Sequence, residues 1–180
     1  MLLQNITDKN ILMEKDTHII LGIDPGTKIT GYGILRVHNN LHQALDFGCI
    51  RPPYNLELSK RYFIIFDSIE KLILKYKPTA LAVETQFVQK NIQSAIKLGM
   101  ARGCAIIAAE KNSTPIYEYA PRSAKLAVVG KGSASKEQVS KMLKMLLNLK
   151  TDKIPEDAAD ALSLAICHAN KINFLNKIRI

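Results

Sequence analysis

Cysteine is scarce in this chain and poorly placed for crosslinking. The three thiols, Cys49, Cys104 and Cys167, are odd in number, widely spaced and free of any Cys-x-x-Cys pair. That pattern excludes a disulfide framework and gives no zinc signature, so buried free thiols in a cytoplasmic protein are expected. Long apolar runs are missing too. No uninterrupted stretch approaches the roughly 20 residues that cross a bilayer, so no membrane partner is expected. Met1 to Thr17 lacks a basic start followed by a clean apolar core, and it carries Asp8, Lys9, Glu14, Lys15 and Asp16. It reads as a flexible extension over residues 1–17, not as a secretory signal. Internal repeats and low-complexity segments are absent. Acids are in short supply, with 16 Asp and Glu against 25 Lys and Arg, a formal net charge of +9. Such a surplus suggests a polyanionic partner. It is concentrated between Pro121 and Lys150, where Arg122, Lys125, Lys131, Lys136, Lys141, Lys144 and Lys150 face only Glu137.

A length of 180 residues favours one domain with a real core. His18 to Asp24 is a short apolar run ending in Pro-Gly, which reads as a buried strand. Thr30 to Val37 and Gln43 to Ile50, broken at Asn39-Asn40, suggest an antiparallel meander. Leu58, Tyr62, Ile65, Ile69, Leu72 and Tyr76 recur at helical spacing until Pro78. Thr79 to Glu84 reads as a second buried strand, Asn91 to Asn112 as a long helix, and Pro115 to Tyr119 as a short strand. Gly99 and Gly103, four apart in that long helix, suggest close approach by another helix. Arg122 to Val129 suggests a further helix, and Gly130 to Ala134 a loop. Ser135 and Gln138 have capping-box form ahead of Val139, Met142, Leu143 and Leu146. Pro155 suits the first position of a last helix. Lys171 to Ile180 reads as a basic, poorly ordered tail, leaving 18–170 as the domain. The expected fold is α/β, a mixed five-stranded sheet flanked by helices. A right-handed crossover from Ile50 to Thr79 would set the Glu84 strand beside the Asp24 strand, with both acids at one sheet edge.

Four carboxylates carry the chemical signal. Asp24 before Pro-Gly also reads as a turn acid. Glu84 closes a wholly apolar strand, where glutamate is unfavourable and costly if buried alone. Asp157 and Asp160 could simply complement a helix dipole, yet residues three apart share one helix face. Together they suit a cation: clustered carboxylates repel, and Mg²⁺ takes oxygen ligands while keeping waters and substrate phosphates. Two ions about 3.5–4 Å apart can hold both the attacking water and the leaving oxygen of an in-line phosphoryl displacement.

Ile20-Leu-Gly-Ile-Asp-Pro-Gly-Thr-Lys-Ile-Thr-Gly-Tyr-Gly-Ile34, Lys97-Leu-Gly-Met-Ala-Arg-Gly103, Val128-Val-Gly-Lys-Gly-Ser133 and Asp157-Ala-Ala-Asp-Ala161 fall in order along the chain. This set resembles the RuvC family of Holliday-junction resolvases, collinearly from about His18 to about Asn170. The resemblance implies an RNase H-like fold and a homodimer that nicks four-way junction DNA symmetrically. It implies Mg²⁺, two per active site, with Mn²⁺ able to substitute, and products bearing 5′-phosphate and 3′-hydroxyl ends. By position, Asp24, Glu84, Asp157 and Asp160 match the family's metal-binding catalytic acids. Phe87 matches an aromatic set against junction bases, although alone it reads as a core residue. Lys125 and Lys136 match basic residues that neutralise phosphate charge, although alone they read as solvated surface lysines. The helix of Gly99 and Gly103 resembles the dimer-forming helix, and a branch-migration helicase complex is an implied partner. His168, eight residues beyond Asp160, suits packing or surface, and His18, His38 and His42 show no ligand spacing.

Three other readings remain open at this point. Gly22 to Thr27 with Gly31 also resembles the phosphate loop of sugar kinases and other actin-like ATPases, which need two domains. An RNase H-like nuclease acting on RNA–DNA hybrid or an RNA precursor would share the acids, and a non-catalytic junction-binding module would share the charge.

Overall fold

The computed structural model describes residues 17–85 and 92–178. Five strands and five helices follow one another among them. The strands are β1 (Thr17–Asp24), β2 (Thr30–His38), β3 (Leu41–Ile50), β4 (Ala80–Glu84) and β5 (Ile116–Tyr119). The helices are α1 (Leu58–Tyr76), α2 (Ile92–Lys111), α3 (Pro121–Val129), α4 (Lys136–Leu146) and α5 (Glu156–Ile178). The sheet order is β3-β2-β1-β4-β5. The first three strands form the antiparallel meander, while β4 joins β1, and β5 joins β4, in parallel.

Local chemistry accounts for the junctions. Asn39 and Asn40 both take positive φ, 47° and 64°, as a tight hairpin between right-twisted strands requires. Lys77 closes α1 in the left-handed conformation, its N–H donating to the Ile73 carbonyl, and Pro78 prevents further helix. The expected capping box opens α4, with Gln138 N–H donating to Ser135 Oγ and Ser135 N–H to Gln138 Oε1. Pro155 falls one residue ahead of α5 and supplies its carbonyl to the Ala159 N–H, so it caps the helix from outside. The α5 helix continues past Asn170, so Lys171 to Ile178 extends a helix where an irregular tail was expected.

Period-two alternation divides the core between the two sheet faces. Leu21, Ile23, Ile34, Leu81 and Val83 pack against α1 and α2, meeting Tyr62, Ile65, Ile69, Ala101 and Ala105. Ile20, Leu35, Val37 and Ala82 point the other way, into Ala124, Val139, Leu143, Ala158, Leu162 and Ala165 of α3, α4 and α5. Cys49, Cys104 and Cys167 are free but only half-buried. Each lies beside polar backbone or at a helix flank, and none sits in the apolar centre.

Helix α2 has the length and apolar composition to cross a membrane. Its Ala101, Ala105, Ala108 and Ala109 nevertheless pack into the core, and Arg102 pairs with Glu118. The glycines behave unexpectedly. A Cβ added to Gly99 or Gly103 would meet nothing within 4 Å, so among the described residues no other helix comes close to them. Ile92, Ile96, Gly99, Met100, Gly103 and Ile107 all fall on one face at 100° per residue. The five of these that are not Gly103 are exposed, Ile96 at 59% and Met100 at 53%.

Candidate active site

Strands β1 and β4 run parallel with Ile23 paired to Val83, so the next residue of each, Asp24 and Glu84, emerges at the same sheet edge. Their carboxyl groups interact directly, a contact that raises Asp24 and lowers Glu84. The turn that follows Asp24 is tied down twice. Thr30 is fully buried and donates Oγ1 to the Gly26 carbonyl at 2.8 Å, while Arg61 of α1 donates to the Thr27 carbonyl.

The other two acids arrive on α5, which lies on β1 and β2 with almost no gap. A Cβ on Gly22 would stand 1.9 Å from the Ala161 carbonyl oxygen, and one on Gly31 1.9 Å from that of Asp157. Only glycine permits this approach, and Gly31 is itself the register partner of Asp24. The helix start is thereby laid across the strand edge, and Asp157 and Asp160 turn one face toward the strand acids.

The electrostatics record that convergence. Burial first, then the charges of Glu84, Asp160 and Asp157, push the Asp24 carboxyl up to about 8. Glu84 is raised chiefly by burial, then by Asp160, with Lys125 opposing. Asp160 is also raised by burial, while Lys136 and Lys125 pull it back. Lys125 on α3 and Lys136 at the start of α4 are therefore within electrostatic reach of the acids. Lys136 does not point freely at them, since its Nζ donates to Glu156 Oε2 at 2.7 Å. Phe87 lies outside the described residues, as does the extension up to Asp16.

Among the described residues, no three His, Cys, Asp or Glu side chains stand close enough to enclose an ion as they are placed. A cation drawn among the four acids would offset the mutual repulsion of their ionised forms. The donor set fits a hard divalent cation, being carboxylate oxygen throughout with no sulfur or imidazole. The histidines lie apart from it. His168 is buried 2.7 Å from Tyr119 Oη and stacked on Tyr117 at 4.1 Å. Burial, then the charges of Lys171 and His18, drive it down to about 4, so it is a neutral packing residue.

Three charged neighbours were not anticipated from the sequence: Arg51, just past β3, Lys153 ahead of α5, and Glu156. With Pro155 and Asp157 they line a cleft of about 440 Å³. Arg51 reaches the site because Gly31 pairs with both Asp24 and Cys49, a register no local pattern announces.

Known proteins show the same arrangement of chain. The family model "Crossover junction endodeoxyribonuclease RuvC" matches residues 20–168. The crossover junction endodeoxyribonuclease RuvC of Protochlamydia amoebophila is 60% identical over 151 residues, covering 84% of this chain and 90% of that relative. The structure of Thermus thermophilus RuvC in complex with Holliday junction substrate matches with a TM-score of 0.81 at 30% identity, covering 87% of this chain and 96% of that one. The yeast mitochondrial Holliday junction resolvase shares the fold, with a TM-score of 0.60 at 15% identity over 88% of this chain and 83% of its own.

Proposed function

Because the chain belongs to the RuvC family, it is a crossover junction endodeoxyribonuclease of DNA recombination and repair, and we propose that Asp24, Glu84, Asp157 and Asp160 are its metal-binding catalytic acids. The observation that carries the assignment is the convergence of three other acids on Asp24, which burial and their charges hold near pKa 8. A group so perturbed at a sheet edge is a functional-site signal. The family is divalent-metal-dependent, and two Mg²⁺ ions, replaceable by Mn²⁺, would supply Lewis acidity at the phosphoryl oxygens and lower the pKa of the attacking water.

The chain's own residues perform the rest. Asp24, set between the β4 acid and the α5 acids, would hold the metal together with Glu84, Asp157 and Asp160. Lys125 offsets phosphate charge beside Glu84 and Asp160. Lys136 does so once it exchanges Glu156 for a phosphate oxygen, and both partners of that pair are well exposed. In-line attack then leaves 5′-phosphate and 3′-hydroxyl ends that can be rejoined.

Phe87, three residues past Glu84, would stack on an unpaired junction base, a contact worth roughly 1–3 kcal/mol. Phe87→Ala is expected to slow cutting more than it weakens junction binding; a variant that unfolds would instead mark Phe87 as core. One chain holds one set of acids, whereas resolution needs two cuts, so we propose a homodimer about a twofold axis. The exposed stripe on α2, open above Gly99 and Gly103, supports that reading. Ile96→Glu should convert the protein to monomer in light scattering and uncouple the paired nicks; an unchanged dimer would move the interface elsewhere. A cytoplasmic location and a branch-migration helicase partner belong to the same proposal, and co-sedimentation with such a helicase on junction DNA tests the latter.

The direct experiment offers a labelled mobile four-way junction beside linear duplex and RNA–DNA hybrid, with Mg²⁺ or with EDTA. Paired symmetric nicks confined to the junction and abolished by EDTA are expected. Preferential cutting of hybrid would keep the acids and change the substrate.

A further inference from the structure

Two cations stand beside Asp157, and the chemistry above does not use them. Arg51 is the first residue past β3, where Ile50 pairs with Thr30 and Cys49 with Gly31. Since Gly31 also pairs with Asp24, Arg51 leaves the sheet at the edge that carries the acids. Its backbone is well fixed, between a buried Ile50 and a buried Pro52 that restricts the residue before it. Lys153 comes from the connection between α4 and α5. The cleft of about 440 Å³ between them has Asp157 as a wall. Both side chains are exposed, and neither forms an ion pair among the described residues. Glu156, which lines the same cleft, is engaged by Lys136.

Lys153 also borders a second cleft of about 330 Å³, where Lys136, Lys141 and Lys144 outnumber Glu137 and Glu156. The two clefts share Lys153 and Glu156, so a cationic groove runs from α4 past Asp157 to Arg51. A guanidinium presents a planar fork suited to two phosphate oxygens, and a preorganised one loses little freedom in binding.

We propose that Arg51 and Lys153 form a second phosphate subsite, which grips the nucleic-acid backbone next to the scissile phosphodiester on the Asp157 side of the acids. The subsite rests on the nuclease reading and extends it: Lys125 acts beside Glu84 and Asp160, while Lys136, Lys153 and Arg51 follow one another along the groove past Asp157.

The test measures binding of a labelled four-way junction against salt concentration, in an Asp24→Asn background that leaves the DNA uncut. Each phosphate contact contributes about 0.9 to the slope of log K against log salt. Arg51→Ala and Lys153→Ala should each flatten that slope by about 1, and the pair by about 2. Arg51→Lys should keep most of the slope, and Lys71→Ala, on α1 at the opposite sheet face, should keep all of it. An unchanged slope in the double variant, or an equal loss in Lys71→Ala, overturns the subsite. If wild type cuts junctions while the double variant keeps the parental slope, the subsite alone fails. If wild type neither binds nor cuts them, the nuclease reading fails and takes the subsite with it.

Discussion

Asp24→Asn should reduce junction cleavage by at least about 10²-fold, the upper end of the loss seen when only the outer-shell partners of metal ligands are removed. Junction binding should survive, because the cations that meet the backbone are untouched. The same variant should be more stable than wild type without metal, and the reason lies in the proton that Asp24 retains. Burial foremost, then Glu84, Asp160 and Asp157, raise its carboxyl from 3.8 to about 8. Between those two values the folded protein holds a proton that the unfolded chain has released. The folded state thus binds more protons, and stability falls as pH rises through that window. Glu84 and Asp160 are raised as well and act with the same sign. Metal-free wild type should therefore melt at lower temperature at about pH 8 than at about pH 5, and Asp24→Asn should flatten the decline. Added Mg²⁺ should recover the loss in wild type by mass action, more at the higher pH, and recover far less in the variant. Near-normal cutting by Asp24→Asn, or a pH dependence of melting identical to wild type, would refute the assignment.

The four acids were legible because each ends or opens a regular element. An apolar strand that stops at Asp or Glu, and two Asp one helical turn apart, are local signals, and parallel pairing of β1 with β4 needs only the handed crossover. Arg51 and Lys153 were not legible. They reach the acids through antiparallel register across three strands and through a loop, and neither residue differs locally from an ordinary surface cation. Gly99 and Gly103 show the opposite failure: the spacing suggested close approach by another helix, but among the described residues nothing comes within 4 Å of a Cβ at either position. The ion pair between Lys136 and Glu156 was equally hidden, since the two lie 20 residues apart and meet only because α4 packs beside the start of α5. Cys49 was read as a core thiol, yet its register partner is Gly31, which places it beside the acids at the sheet edge.

Gly31→Ala should disable the enzyme without touching a functional group. The added methyl would lie 1.9 Å from the Asp157 carbonyl oxygen, 2.3 Å from its carbon and 3.0 Å from the Ala158 nitrogen. These are helix backbone atoms, so no rotamer change can relieve the clash. Helix α5 must lift, and it cannot pivot freely because Gly22 presses equally close on the Ala161 carbonyl. Overpacking of this kind costs roughly 1–3 kcal/mol, which for a chain this long is several degrees of melting temperature. The functional loss should exceed that structural cost, since a shift of about 1 Å at a catalytic group can lower the rate about 10²-fold. Asp157 and Asp160 would move away from Asp24 and Glu84 together, so kcat should collapse while junction KM changes little. Gly33→Ala separates the two effects. Its nearest neighbours are the Cδ2 and Cγ of the buried Leu162, at 2.7 and 2.8 Å, with the Leu162 nitrogen at 3.0 Å, so the clash falls mainly on a side chain and less on the α5 backbone. That variant should lose comparable stability and far less activity. If Gly31→Ala keeps full kcat in a folded protein, α5 tolerates the displacement, and the glycine contact between helix and strand does not set the distance between the two pairs of acids.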